Sequence, residues 1–139
     1  MHLQEAAYTL NKVFQYRPDR PGLDPWHILD TRKESARGNC EDYIATILWL
    51  ISDKRFSVFL RNLLFGGKNV VFHYCTIVED GRRGNHTVLE YKKEYIDNIL
   101  GIRPDRGDYT ASKYKHSFKH PWHRWVILFR LFLGTFIGR

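Results

Sequence analysis

Cysteine is scarce in this chain: there are two, Cys40 and Cys75, 35 positions apart. That excludes a disulfide framework, and no CxxC pair is present to begin a zinc site. The expectation is a reducing compartment, or a fold that does not depend on a disulfide bridge. Five prolines and ten glycines are too few for a collagen-like repeat or a low-complexity linker. No uninterrupted run reaches the roughly 20 apolar residues a spanning helix needs. The richest stretch, Trp122 to Ile137, is broken by Arg124 and Arg130. The opening residues, Met1-His2-Leu3-Gln4-Glu5, have neither the basic start nor the continuous apolar core of a secretory signal. A cytoplasmic location is therefore expected.

Acidic residues are nearly missing from one end. Residues 103–139 hold 8 basic and 2 acidic side chains, whereas residues 1–102 hold 14 and 13. The formal charge of +7 thus belongs almost wholly to the last quarter of the chain. With 43% hydrophobic and 15% aromatic residues in 139 positions, the composition is that of one globular domain and excludes a disordered tail. We read residues 1–139 as a single domain carrying a basic, aromatic C-terminal segment, 103–139.

Leu3, Ala6, Ala7, Leu10, Val13 and Phe14 recur at helical spacing and predict an amphipathic helix over 3–16. The run Arg17-Pro18-Asp19-Arg20-Pro21-Gly22 should end it, because proline disfavours helix at and before its position. Residues 21–37 read as loop. A second helix should start at Asn39 or Cys40, with Asn39 as N-cap and Glu41 and Asp42 in the first turn. Ile44, Ile47, Leu48 and Ile51 form its inward stripe, which Cys40 joins. A third helix is expected near 53–64, stopped by Gly66-Gly67. The period then falls to two: Val70 to Val78 reads as a strand, 79–84 as a turn, and 86–90 and 94–99 as further strands. Helices followed by a meander define an α+β class, with N-terminal helices packed on an antiparallel sheet.

Cys40 at a helix start is where the dipole and free amides stabilise a thiolate. Glu41 and Asp42 oppose that effect, so a reactive thiol here needs a base; otherwise Cys40 is a small hydrophobe in the core. A two-residue turn at Tyr91-Lys92 would pair Val88 with Tyr95 and His86 with Asp97, bringing the last two onto one face. A histidine held by a carboxylate is the orienting half of a catalytic triad. His73 and Cys75 alternate on one strand face and read as packing residues.

These segments carry a resemblance. Gly38-Asn39-Cys40-Glu41-Asp42-Tyr43 opens a helix, His86-Thr87-Val88-Leu89 lies on a strand, and Tyr95-Ile96-Asp97-Asn98 lies on the next. The pattern resembles the bacterial transglutaminase-like cysteine proteinases of the papain-like superfamily, which show Gly-Asp-Cys-Glu-Asp, His-Ala-Val-Leu and Leu-Asp-Asn in that order. Asp24-x-Trp26 resembles the Asp-x-Trp segment that precedes the family's cysteine. The match covers roughly residues 16–100. The resemblance implies a papain-like (transglutaminase-like) fold and a cysteine peptidase. Cys40 would be the nucleophile, His86 the base and Asp97 the orienting acid, acting on a protein or peptide by hydrolysis more than by transamidation. Trp26 is a candidate oxyanion donor or substrate-groove wall, or simply a core residue. In some family members acidic residues beside the nucleophile bind calcium. Glu41 matches one of them, but Asn39 stands where the family has aspartate. We expect no cofactor and no metal, with calcium near Glu41 as the alternative. Relatives can be periplasmic, and a small member without a signal is compatible with a bacterial or bacteriophage source.

In the tail, 109–119 reads as strand-like, and His116, His120 and His123 as part of a solvated basic face. Trp122, Trp125, Val126, Phe129, Phe132, Leu133 and Phe136 recur at helical spacing. The stripe is expected to complete the domain's own core; the alternatives are an anionic membrane surface or a partner protein. Nucleic acid is disfavoured because no recognition module accompanies the charge. The rival to an enzyme is a non-catalytic papain-fold binding or phage-associated module attached through this segment.

Overall fold

The computed structural model describes residues 1–18 and 24–136. Five α-helices accompany a five-stranded antiparallel sheet and a separate two-stranded parallel ribbon. The order is α1 (Leu3–Asn11), β1 (Phe14–Tyr16), β2 (Ala36–Gly38), α2 (Cys40–Ile51), α3 (Phe56–Phe65), β3 (Val70–Glu79), β4 (Arg82–Tyr91), β5 (Glu94–Asp97), β6 (Gly101–Arg103), α4 (Arg106–Thr110), β7 (Ser117–Pro121) and α5 (Arg124–Phe136). A 3-10 turn, Gly67–Asn69, links α3 to β3.

The first helix is shorter than its periodicity predicts. It stops at Asn11, and Phe14–Tyr16 leave it to pair in parallel with Ala36–Gly38 inside the expected loop. Aromatic and β-branched residues favour an extended conformation where a partner strand is at hand. The expected stop at Arg17–Gly22 falls partly on residues 19–23, outside the described residues. α2 is buried on nearly every side, with only Trp49 half-buried. It is the axis of the core, clustering with Leu3 and Leu10 of α1, Phe59 and Leu63 of α3, and Phe72, Leu89 and Ile96 of the sheet.

The sheet order is β6-β5-β4-β3-β7. The β3–β4 turn is tighter than expected: Asp80 (φ 52°) and Gly81 (φ 77°) form it alone, so Glu79 pairs with Arg82. Both are left-handed, as a two-residue hairpin of this twist requires. The β4–β5 turn lies at Lys92-Lys93 (φ 47° and 70°) rather than at Tyr91-Lys92. A hydrogen bond from the Lys92 amide to Asn69 O, at 2.8 Å, anchors it there. Tyr91 therefore pairs with Glu94 and Leu89 with Ile96, and the expected pairs Val88–Tyr95 and His86–Asp97 are not directly opposite. Every partner has moved by two positions, an even step that leaves each side chain on its expected face.

The C-terminal segment departs most from expectation. Its strand-like stretch begins as α4, and only Ser117–Pro121 extends the sheet, as β7 along the outer edge of β3. Helix α5 packs Ile127 inward, with Leu128 and Leu131 half-buried against the core. The aromatic stripe does not complete that core: Trp125, Phe129, Phe132 and Phe136 are exposed. Ile137, which ends the apolar stretch, lies outside the described residues. Arg124 fixes the helix start by donating to the carbonyl oxygens of Leu63, Gly67 and Val70. Further along, Trp26 N–H donates to Arg130 O at 3.0 Å, and Gly134 lies directly on the Trp26 carbonyl, where a Cβ would collide with it. Gly134→Ala should therefore push α5 off the Trp26 segment. The expected cost is about 1–3 kcal/mol, read as a lowered urea midpoint with an unchanged slope.

Candidate functional site

Asn39 caps α2 reciprocally. Its Oδ1 accepts from the Asp42 amide at 3.0 Å, and Asp42 Oδ2 accepts from the Asn39 amide at 3.1 Å. This is the capping-box arrangement, built from an Asn/Asp pair. The other Asp42 oxygen accepts from the His27 amide at 2.8 Å, which ties the Trp26-His27 segment to the first turn of α2. Cys40 is thereby fixed as the first helical residue, buried at 7% exposure.

Burial pushes the Cys40 thiol well above its ordinary pKa, and the Glu41 carboxylate pushes in the same direction. The backbone amides of Thr87 and Glu41 act against both. Thr87 lies on β4 one residue from His86, beyond the last β4–β5 pairing at Leu89 and Ile96. Among the described hydrogen bonds the His86 ring has one, to Asp97, and none to the thiol. The side chain directly opposite His86 is Cys75 of β3. Cys75 is fully buried, and its thiol is pushed up to about 12 by burial and then by Asp97.

His86 and Asp97 do meet. Diagonal neighbours on one sheet face are within reach of long side chains, and His86 Nε2 donates to Asp97 Oδ2 at 2.7 Å. A third group joins them. His116 Nε2 bonds the same oxygen at 3.0 Å, and its Nδ1 lies 3.3 Å from Ser112 Oγ. Asp97 Oδ1 accepts from the amides of Ile99 and Leu100 at 3.1 and 2.7 Å. Burial works to raise the Asp97 carboxyl, but the hydrogen bonds from His116, His86 and Leu100 overcome it and hold the group down at about 2. With Nε2–H committed to an ionised carboxylate, His86 keeps Nδ1 as its basic nitrogen.

His116 is thus no part of a solvated basic face: it is 2% exposed, while His120 and His123 are exposed. The basic stretch around it hides its role, because only the docking of β7 on β3 turns it inward. Its position one residue before an alternating segment is the single sequence signal. His73, read as a packing residue, is satisfied by Glu90 Oε1 at 2.8 Å. Trp26 is fully buried, packed on Phe72 and Trp122, and its Nε1 is a buried donor without a partner among the described residues.

Among the described residues, His86, Asp97 and His116 are the group whose donor atoms converge enough to hold a metal ion, all within 4.8 Å. Near the expected calcium position, one Asp42 oxygen caps α2 and the other accepts from the His27 amide, and Glu41 is buried. Compared with known proteins, the chain matches no family model, no curated protein and no solved structure.

The depressed Asp97 sets a pH dependence. A carboxyl held below its unfolded value stabilises the fold above that value, and the contribution is lost as pH falls through the native one. The window here runs from about 4 down to about 2. Asp97→Asn should lower stability at neutral pH by about 2 kcal/mol, and the gap to wild type should close as pH approaches 2. Denaturant unfolding of both proteins at several pH values checks it; a constant gap would contradict the assignment.

Proposed function

We propose that the protein is a cysteine hydrolase of papain-like, transglutaminase-like type, cleaving amide bonds in a protein or peptide. One observation carries the reading: a buried His86–Asp97 pair that leaves Nδ1 as the second ring nitrogen, with His86 one residue from Thr87, whose amide favours the Cys40 thiolate. Cys40 is the better nucleophile candidate of the two thiols, since Cys75 is fully enclosed and Cys40 begins a helix.

In this mechanism His86 Nδ1 takes the Cys40 proton, leaving a thiolate and an imidazolium that Asp97 stabilises. The sulfur attacks the amide carbonyl, and the S–C bond forms as the carbonyl electrons move to oxygen. The C–N bond then breaks, and the leaving amine takes the proton from His86. Water, deprotonated by His86, releases the acid and restores the thiol. The oxyanion would be met by the Cys40 amide at the helix start, with the buried Trp26 Nε1–H as a further candidate donor. His116 acts as a positioning residue, holding the carboxylate that holds His86. No step runs through a metal or cofactor.

A second reading is favoured by a specific observation: burial favours the protonated Cys40 thiol, and no described hydrogen bond joins it to His86. A binding module that retains the fold without catalysis would look the same. Electrophile labelling separates the two. For the enzyme, Cys40 labels faster than Cys75 and faster than a free thiol at neutral pH, and His86→Ala slows it; labelling no faster than either ends the reading. In a proteome cleavage screen, Cys40→Ala should remove the products. Once a substrate peptide is in hand, His86→Ala should cost about a thousandfold or more in kcat/KM.

A further inference from the structure

Helix α5 presents two faces of opposite design. Ile127 is buried, and Leu128 and Leu131 pack against the core. On the other side Trp125, Phe129, Phe132 and Phe136 each stand more than half exposed, and the rings of Phe132 and Phe136 touch. The apolar surface continues onto α3. Phe56 is 66% exposed, and with Phe132, Trp49, Leu128 and Leu131 it lines an apolar groove of about 550 Å³. Contiguous exposed aromatics of this extent mark a contact surface rather than chance exposure.

The described charges on and beside α3 that lack an ion-pair partner are basic. From Lys54 to Val78, and again after Asp108, the sequence contains no Asp or Glu. Lys54, Arg55, Arg61 and Lys68, on α3 or just beyond its ends, are exposed, and none is in an ion pair with another described residue. The neighbouring described carboxylates are already engaged: Asp53 by the N-terminal ammonium at 2.7 Å, Asp24 by Arg130 at 3.2 Å and Asp30 by Arg32 at 3.0 Å. A second copy of the chain docked on this face would bring cations against cations with no carboxylate to meet them. An anionic surface that also accepts aromatic rings is the complement. At 13 residues α5 is about 20 Å long, and no described helix is long and apolar enough to cross a membrane.

We infer that the α3–α5 face binds an anionic lipid bilayer peripherally. α5 lies in the plane of the interface with Trp125, Phe129, Phe132 and Phe136 in the headgroup layer and the α3 cations over the lipid phosphates. The inference is independent of the hydrolase reading, because neither Cys40 nor the Asp97 cluster takes part.

The test is co-flotation of the full chain with vesicles of phosphatidylcholine, with and without phosphatidylglycerol, at low and high salt. Binding should require phosphatidylglycerol, weaken with salt, and shift tryptophan emission to the blue. The double variant Phe129→Ser, Phe136→Ser should lose about tenfold or more in partitioning. Arg61→Glu and Lys68→Glu should each lose about fivefold or more, since one cation near the surface is worth roughly that factor. All four positions are exposed, and circular dichroism melts check that the variants fold as wild type. Wild type remaining in the aqueous fraction, partitioning indifferent to phosphatidylglycerol, or variants floating like wild type would overturn the proposal. A dimer in solution that these same substitutions dissociate would overturn it too, by assigning the face to a second copy.

Discussion

A buried carboxylate with all of its hydrogen bonds made is the constraint on which this fold turns. Asp97 accepts four: from His86, His116 and the amides of Ile99 and Leu100. An ionised carboxylate in the interior is very costly without such partners. The partners come from β4, from the turn after β5 and from the loop before β7, so meeting the demand of one side chain orders three separate parts of the chain. The same bonds fix the His86 ring and its tautomer. Any chemistry at Cys40 depends on a pair that exists first for electrostatic reasons.

A second set of bonds joins the ends of the molecule. Trp26 passes between α2 and α5: its neighbour His27 reaches the Asp42 cap, and its own amide reaches Arg130 O. Arg124 closes the far side by meeting the Leu63 carbonyl in the last turn of α3 and the Gly67 carbonyl just beyond it, where a helix leaves acceptors without internal partners. The C-terminal segment is therefore structurally integral, although its charge and composition set it apart from the preceding residues.

What was legible in the sequence follows from how local its cause is. The start of α2 at Cys40 was legible because capping by Asn39 and Asp42 involves neighbours in the chain. The meeting of His86 and Asp97 was legible although the turn was misplaced, because a two-position change of partner preserves the face. The end of α1 was not legible, since Phe14–Tyr16 answer to a strand some twenty residues away. His116 was missed because its burial depends on β7 lying on β3, a pairing for which the sequence carries no nearby signal. The α5 periodicity was read correctly and its direction was not: a stripe's spacing does not say whether the narrower apolar row of Ile127 and Leu131 or the aromatic row meets the core. The distance between thiol and histidine depends on how α2 seats against β4, which no motif specifies.

The sheet's two outer strands have a consequence for how the protein behaves in a crowded solution. An unpaired strand edge invites pairing with another chain, and proteins blunt such edges with short strands, lysine or proline. Here β6 is only three residues long and ends on the exposed Arg103, while β7 carries Lys119 and closes on Pro121, which has no amide to donate. Neither edge offers a flat ladder for growth. Fibril formation by edge-to-edge addition is thereby discouraged in the native state, even in a domain with so much aromatic surface.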